Sequence, residues 1–82
     1  MVRRRMAHGP VRDEVAAIRL AAAAIKGKIT PADAARVHAV RRGEVWEVEW
    51  AATPGVGRGP DFEARVTIDA DSGRVIDILA GS

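Results

Sequence analysis

The sequence predicts an α+β domain: two N-terminal helices packed on a three-stranded antiparallel sheet. Three observations predict it. Apolar residues recur at three- and four-residue spacing up to about residue 42. From Gly43 onward the spacing changes to two, the period of a half-buried strand. The alternating stretches are joined by Gly- and Pro-containing links of the kind that close hairpins. At 82 residues the chain is one small domain, expected to consist of a flexible basic arm over residues 1–10 and a folded unit over residues 11–82.

Residues 11–27 are expected to form the first helix. At 100° per residue Val11, Val15, Ile18, Ala22, Ile25 and Ile29 fall on one stripe, read as the inward face. Arg12, Arg19 and Lys26 recur every seven residues along its border, and Ala16, Leu20, Ala23 and Ala24 occupy the opposite side. Asp13 and Glu14 suit the first turn, and Gly27 suits a C-terminal stop. Thr30-Pro31-Ala32-Asp33 has the order of an N-cap, a first helical proline and a capping acid. It predicts a second helix from about residue 30 to Arg42, ended by Gly43, with Val37 and Val40 on its inner edge and His38 partly exposed.

Trp46, Val48 and Trp50 alternate with Glu47 and Glu49, which predicts a strand with the tryptophans inward. Residues 51–60 form a Gly/Pro-rich connection. Phe62, Ala64, Val66 and Ile68 alternate with Glu63, Arg65, Thr67 and Asp69 in a second strand, and a turn at residues 71–73 leads to a third strand over residues 74–79. The expected core is Trp46, Val48, Trp50, Phe62, Val66, Ile68, Ile76 and Ile78 against Val15, Ile18, Ile25 and Val37.

Residues 66–79, with Asp69, Ala70, Gly73 and Val75 at a strand–turn–strand junction, resemble the final hairpin of PepSY domains. Ile29-Thr30-Pro31-Ala32-Asp33-Ala34 looks like that family's helix start, and Trp46-Glu47-Val48-Glu49-Trp50 like its aromatic-led strand. The resemblance covers about residues 29–79. It departs from the family in the short link between the predicted second helix and the aromatic strand, where PepSY sequences often hold another strand. The resemblance implies a PepSY/cystatin-like sheet curled over a helix and a non-catalytic role, inhibiting, chaperoning or regulating a protein partner such as a peptidase. It carries over no catalytic residue.

The formal net charge of +2 conceals a division along the chain. Residues 1–42 hold ten Lys/Arg against three acids, whereas residues 43–82 hold three Arg against eight acids. Such a division favours pairing within or between copies. Arg12, Arg19, Lys26 and Arg58 are the candidate partner-binding residues. Ala16, Leu20, Ala23 and Ala24 are the candidate interface of a homodimer, with a sheet edge as the other route. A nucleic-acid binder using Arg3, Arg4 and Arg5 with the helix cations is the alternative function.

The remaining chemistry is sparse, and neither enzyme activity nor a metal or other cofactor is expected. Cysteine is absent, and Ser72, Ser82, His8 and His38 make no nucleophile–base–acid arrangement. Asp69-Ala70-Asp71-Ser72-Gly73 has the opening of a calcium loop without its remaining ligands, so a hairpin turn is expected. Gly55-Val56-Gly57-Arg58-Gly59 leads into a strand, unlike a phosphate-cradling loop, which leads into a helix. Glu47, Glu49, Glu63 and Asp69 are expected on the outer sheet face beside Arg65, as solvated ion pairs. Arg3, Arg4 and Arg5 also fit the start of an export signal with residues 21–24 as its cleavage region, but Asp13, Glu14 and Arg19 interrupt it, so a cytoplasmic chain is expected.

Overall fold

Local sequence and long-range pairing part company at residue 36. In the computed structural model, which describes residues 10–31, 35–51 and 62–81, the element order is α1 (Glu14–Ile25), β1 (Arg36–Arg42), β2 (Val45–Ala51), β3 (Phe62–Asp69) and β4 (Val75–Ala80). The fold is α+β, as expected, but with one helix and a four-stranded antiparallel sheet in the order β1-β2-β3-β4. The predicted second helix is replaced by β1. Its seven residues pair along the whole of β2, from Arg36 opposite Ala51 to Arg42 opposite Val45. That pairing satisfies a row of β2 backbone groups that a helix would leave open, and nonlocal pairing of this kind overrides weak helix propensity. Gly43 and Glu44 make the two-residue connection, with Gly43 at φ +62°, as the tight hairpin turns require.

Of the predicted helix start, Thr30 and Pro31 lie in no helix, and Asp33 lies outside the described residues with its neighbours Ala32 and Ala34, as do most of the basic arm (residues 1–9), residues 52–61 with Arg58, and Ser82.

Helix α1 starts where Asp13 caps it, its carboxylate Oδ1 accepting from the Ala16 N–H at 2.8 Å. It ends at Ile25; Gly27, at φ +81°, takes the left-handed position just beyond. The buried helix positions are Ala17, Ala21 and Ile25, flanked by half-buried Ile18, Leu20 and Ala24. This corrects the predicted inward stripe. Val15 is 62% exposed and Ala22 faces solvent. The reason is volume. Trp46, Val48, Val66 and Ile68 already fill the sheet side, so the helix comes down on its alanines. Ala16, Leu20 and Ala24 thereby gain an inward role in their own domain.

Two bulges correct the expected core. Trp50 pairs with Ala64 and Ala51 with Phe62, leaving Glu63 as an extra residue in β3. Phe62 is consequently not part of the core; its ring lies 4.4 Å from the Arg65 guanidinium carbon. In β4, Val75 pairs with Ile68 and Asp77 with Thr67, leaving Ile76 extra. The slip turns Val75 and Ile78 toward the core and leaves Ile76 56% exposed. Val37, at the β1 edge, is also exposed rather than buried.

The helix is tied to one end of the sheet. The buried Trp46 indole N–H donates to the Val11 carbonyl at 2.9 Å, and the Val11 N–H donates to the Ala70 carbonyl at 2.7 Å. The Ala70 N–H in turn donates to the Glu44 carbonyl at 2.9 Å. Both hairpin turns and the entry to α1 are thus joined.

Two outcomes follow for stability. Trp46→Phe keeps most of the ring volume but orphans the Val11 carbonyl, and should lower the urea-unfolding free energy by about 1–3 kcal/mol. Gly81→Ala should destabilise comparably, by roughly 1–3 kcal/mol, because a Cβ there would fall on the Phe62 carbonyl oxygen. Equilibrium denaturation of each variant checks both values.

Candidate partner-binding surface

A seven-residue repeat on a helix advances by two turns less about 20°, so its members stay on one side. Arg19 and Lys26 are exposed on the side of α1 away from Ala17 and Ala21, whereas Arg12, also exposed, precedes the extended Asp13 cap and lines a second open hollow with Arg41, Glu44, Ala70 and Asp71. Arg19 and Lys26 are separated by about 10 Å of helix rise. Arg12 thus stands at the helix entry, and Arg19 and Lys26, expected at the border of the apolar stripe, stand in the middle of the solvent face. Rotation of the helix onto its alanines put them there. Among the described residues, none of the three has an ion-pair partner. Val15 lies between them, and an open groove of about 420 Å³ runs beside it, lined by Val15, Ala16, Arg19 and Leu20 among others. Ala23, from the predicted dimer face, is also exposed here.

The other broad surface is the outer face of the sheet. Glu49 sits opposite His38 on β1 and opposite Arg65 on β3. Its Oε2 accepts from Arg65 Nη2 at 2.7 Å and Nε at 3.1 Å, and its Oε1 lies 3.7 Å from His38 Nε2. Arg42 Nε donates to Glu47 Oε1 at 2.8 Å. The expected pairing of Arg65 with a β2 glutamate holds, and Arg42 is the cation that residue spacing alone did not place there. His38 stands on a strand rather than on a helix, and remains exposed. These carboxylates hold one another's cations on an open sheet surface rather than facing each other across a cleft.

The turn reading of residues 69–73 is explicit in the hydrogen bonds. The Asp69 carboxylate accepts from the Asp71 N–H at 2.9 Å, the Asp69 carbonyl from the Gly73 N–H at 2.8 Å, and the Ser72 hydroxyl from the Arg74 N–H at 3.2 Å. Gly73 takes φ +79°. The Asp69 carboxylate and the Ser72 hydroxyl are thus committed to the turn's own backbone. Among the described residues, no group of three or more His, Asp or Glu gathers at metal-ligand distance, and no helix is long and apolar enough to cross a membrane.

One contact escaped sequence reasoning altogether. Glu14 reaches over the sheet edge, where its Oε2 accepts from the Ala39 N–H at 3.1 Å. An acid in the first turn of a helix signals a favourable dipole, but only the packing of α1 near β1 supplies the second partner.

The two described surfaces therefore differ in kind. The helix face carries unpaired cations, whereas the sheet face carries acids with most of its cations already engaged. No family model, curated protein or solved structure matches this chain.

The Glu49–Arg65 pair should behave as a partly exposed ion pair. A double-mutant cycle with Glu49→Gln and Arg65→Leu is expected to give a coupling of about 0.5–1 kcal/mol at low salt that shrinks as salt is raised. Urea titrations of the four proteins at two ionic strengths provide the measurement.

Proposed function

We propose that this domain is a non-enzymatic binding or regulatory module, PepSY-like in arrangement, that docks an acidic surface of a protein partner on the outer face of α1. The carrying observation is the exposed pair Arg19 and Lys26, aligned on one side of α1, with Arg12 exposed at the helix entry and none of the three in a described ion pair. An unpaired cation row on a rigid helix steers an acidic partner and sets its register. Exposed Val15 and the groove beside it add apolar contact at the centre of that row. Regulation of a peptidase or help in its assembly is the role that the PepSY resemblance implies for such a partner. The helix laid on one face of an antiparallel sheet agrees with what that resemblance implies, and β1 supplies a strand between the helix and the aromatic strand.

The nucleic-acid alternative uses the same cations together with Arg3, Arg4 and Arg5. The cations of the sheet's outer face stand among its own carboxylates, Arg42 with Glu47 and Arg65 with Glu49, so a discrete protein surface fits better.

Charge reversal tests the reading. The full chain and its Arg12→Glu/Arg19→Glu/Lys26→Glu variant are used as bait in nuclease-treated lysate of the native host. Proteins retained by the wild type and lost by the variant are expected, with both baits equally folded by circular dichroism. Retention unchanged by the reversal, or retention seen in untreated lysate but absent from the nuclease-treated one, overturns the proposal. A steep inverse dependence of duplex-DNA binding on salt would identify the nucleic-acid reading instead.

A further inference from the structure

An open four-stranded sheet has two edges, and their chemistry differs. The β1 edge carries Arg36, His38, Arg41 and Arg42, and α1 packs beside it, with Glu14 taking the outward N–H of Ala39. Two copies brought together along that edge would oppose like charges. β4 carries one charge in six residues, Asp77, between Ile76, Ile78 and Leu79. Ile76 and Leu79 are 56% and 44% exposed. An apolar edge strand with unpaired backbone groups is a template for another strand.

The backbone phase of β4 is defined. The Gly81 N–H donates to the Glu63 carbonyl, so Gly81 faces β3. By antiparallel alternation Leu79 and Asp77 face β3 too, and Ile78 and Ala80 turn their N–H and C=O groups to the open edge. A twofold axis normal to the sheet pairs residues that share a face. With that axis at Ile78, the two Ile78 residues exchange their backbone bonds. Asp77 of each copy then faces Leu79 of the other, and Ile76 faces Ala80. Shifting the register by one pair instead would set Asp77 against Asp77.

We propose that β4 is the edge on which a second copy of this chain adds, antiparallel and centred on Ile78, so that two four-stranded sheets become one with both helices on the same face. The self-complementary register points to a second copy rather than to a foreign strand: the sole charge of the edge meets an apolar residue, and the exposed Leu79 side chains of the two copies lie diagonal to each other on the outer face. The basic faces of both helices stay uncovered, so this assembly is independent of the partner docking proposed above.

Sedimentation velocity on the full chain at high micromolar concentration tests it. The expected species has twice the 8.7 kDa chain mass. Leu79→Asp places an acid opposite the other copy's Asp77 at two symmetric positions and should weaken association by about tenfold or more. Leu79 faces Arg65 within its own sheet, so the new acid is compatible with the fold. Leu79→Lys meets Asp77 with the opposite sign and should keep the dimer, now with a salt dependence. Ala23→Glu, on the exposed helix face, should leave association unchanged. A monomeric wild type, a Leu79→Asp variant that stays dimeric, equal loss with Asp and Lys, or dissociation by Ala23→Glu each overturns the proposal.

Discussion

The hydrogen bond from the Trp46 indole to the Val11 carbonyl is the contact on which the two-layer arrangement depends. A helix lying on a sheet by apolar contact alone has few constraints on its rotation, because burial is non-directional. Here the residue two places before the cap is held at both its polar atoms, by Trp46 and by Ala70. With the entry to α1 fixed at one end of β2 and β3, the helix's phase follows. Ala17, Ala21 and Ile25 meet the sheet, and Arg12, Arg19 and Lys26 meet solvent. Tryptophan suits the task because it combines a large buried body with a single directional donor.

That phase also separates charge in space. The helix keeps a cationic outer side, whereas the sheet's outer face gathers Glu47, Glu49, Asp69 and Asp77 among Arg36, Arg42 and Arg65, partly paired with one another. β1 belongs to the basic half by sequence but sits in the sheet, and it brings Arg42 and His38 to Glu47 and Glu49. Neutralisation is therefore concentrated on the sheet. The helix cations, with Asp13 lining the same groove as Arg19, form no described ion pair and keep their charge available to a partner. Glu14 is turned the other way, toward the β1 backbone.

The local chemistry of the strands was readable because half-burial imposes strict alternation. Trp46 and Val48, and Ala64, Val66 and Ile68, are buried on one face, and Glu49 and Arg65 meet on the other. The turn at residues 69–73 was readable for a different reason. Its Asp, Ser and Gly each satisfy a local requirement, an Asx bond, a hydroxyl bond and a positive φ, independent of the rest of the chain.

The sequence by itself determined the α+β class, the first helix with its stop at Gly27, the three later strands and the seven-residue row of cations. All of these rest on short-range periodicity or on single-residue backbone preferences. The tertiary structure alone decided that residues 36–42 are a strand, because Val37 and Val40 suit either element and only pairing with β2 resolves them. It also decided which side of α1 faces inward, since sheet volume rather than helix hydrophobicity selected the alanines. Phe62 and Ile76 left the expected core for the same kind of reason. Each lies at a bulge, and a bulge is a property of two paired strands that neither strand's sequence contains.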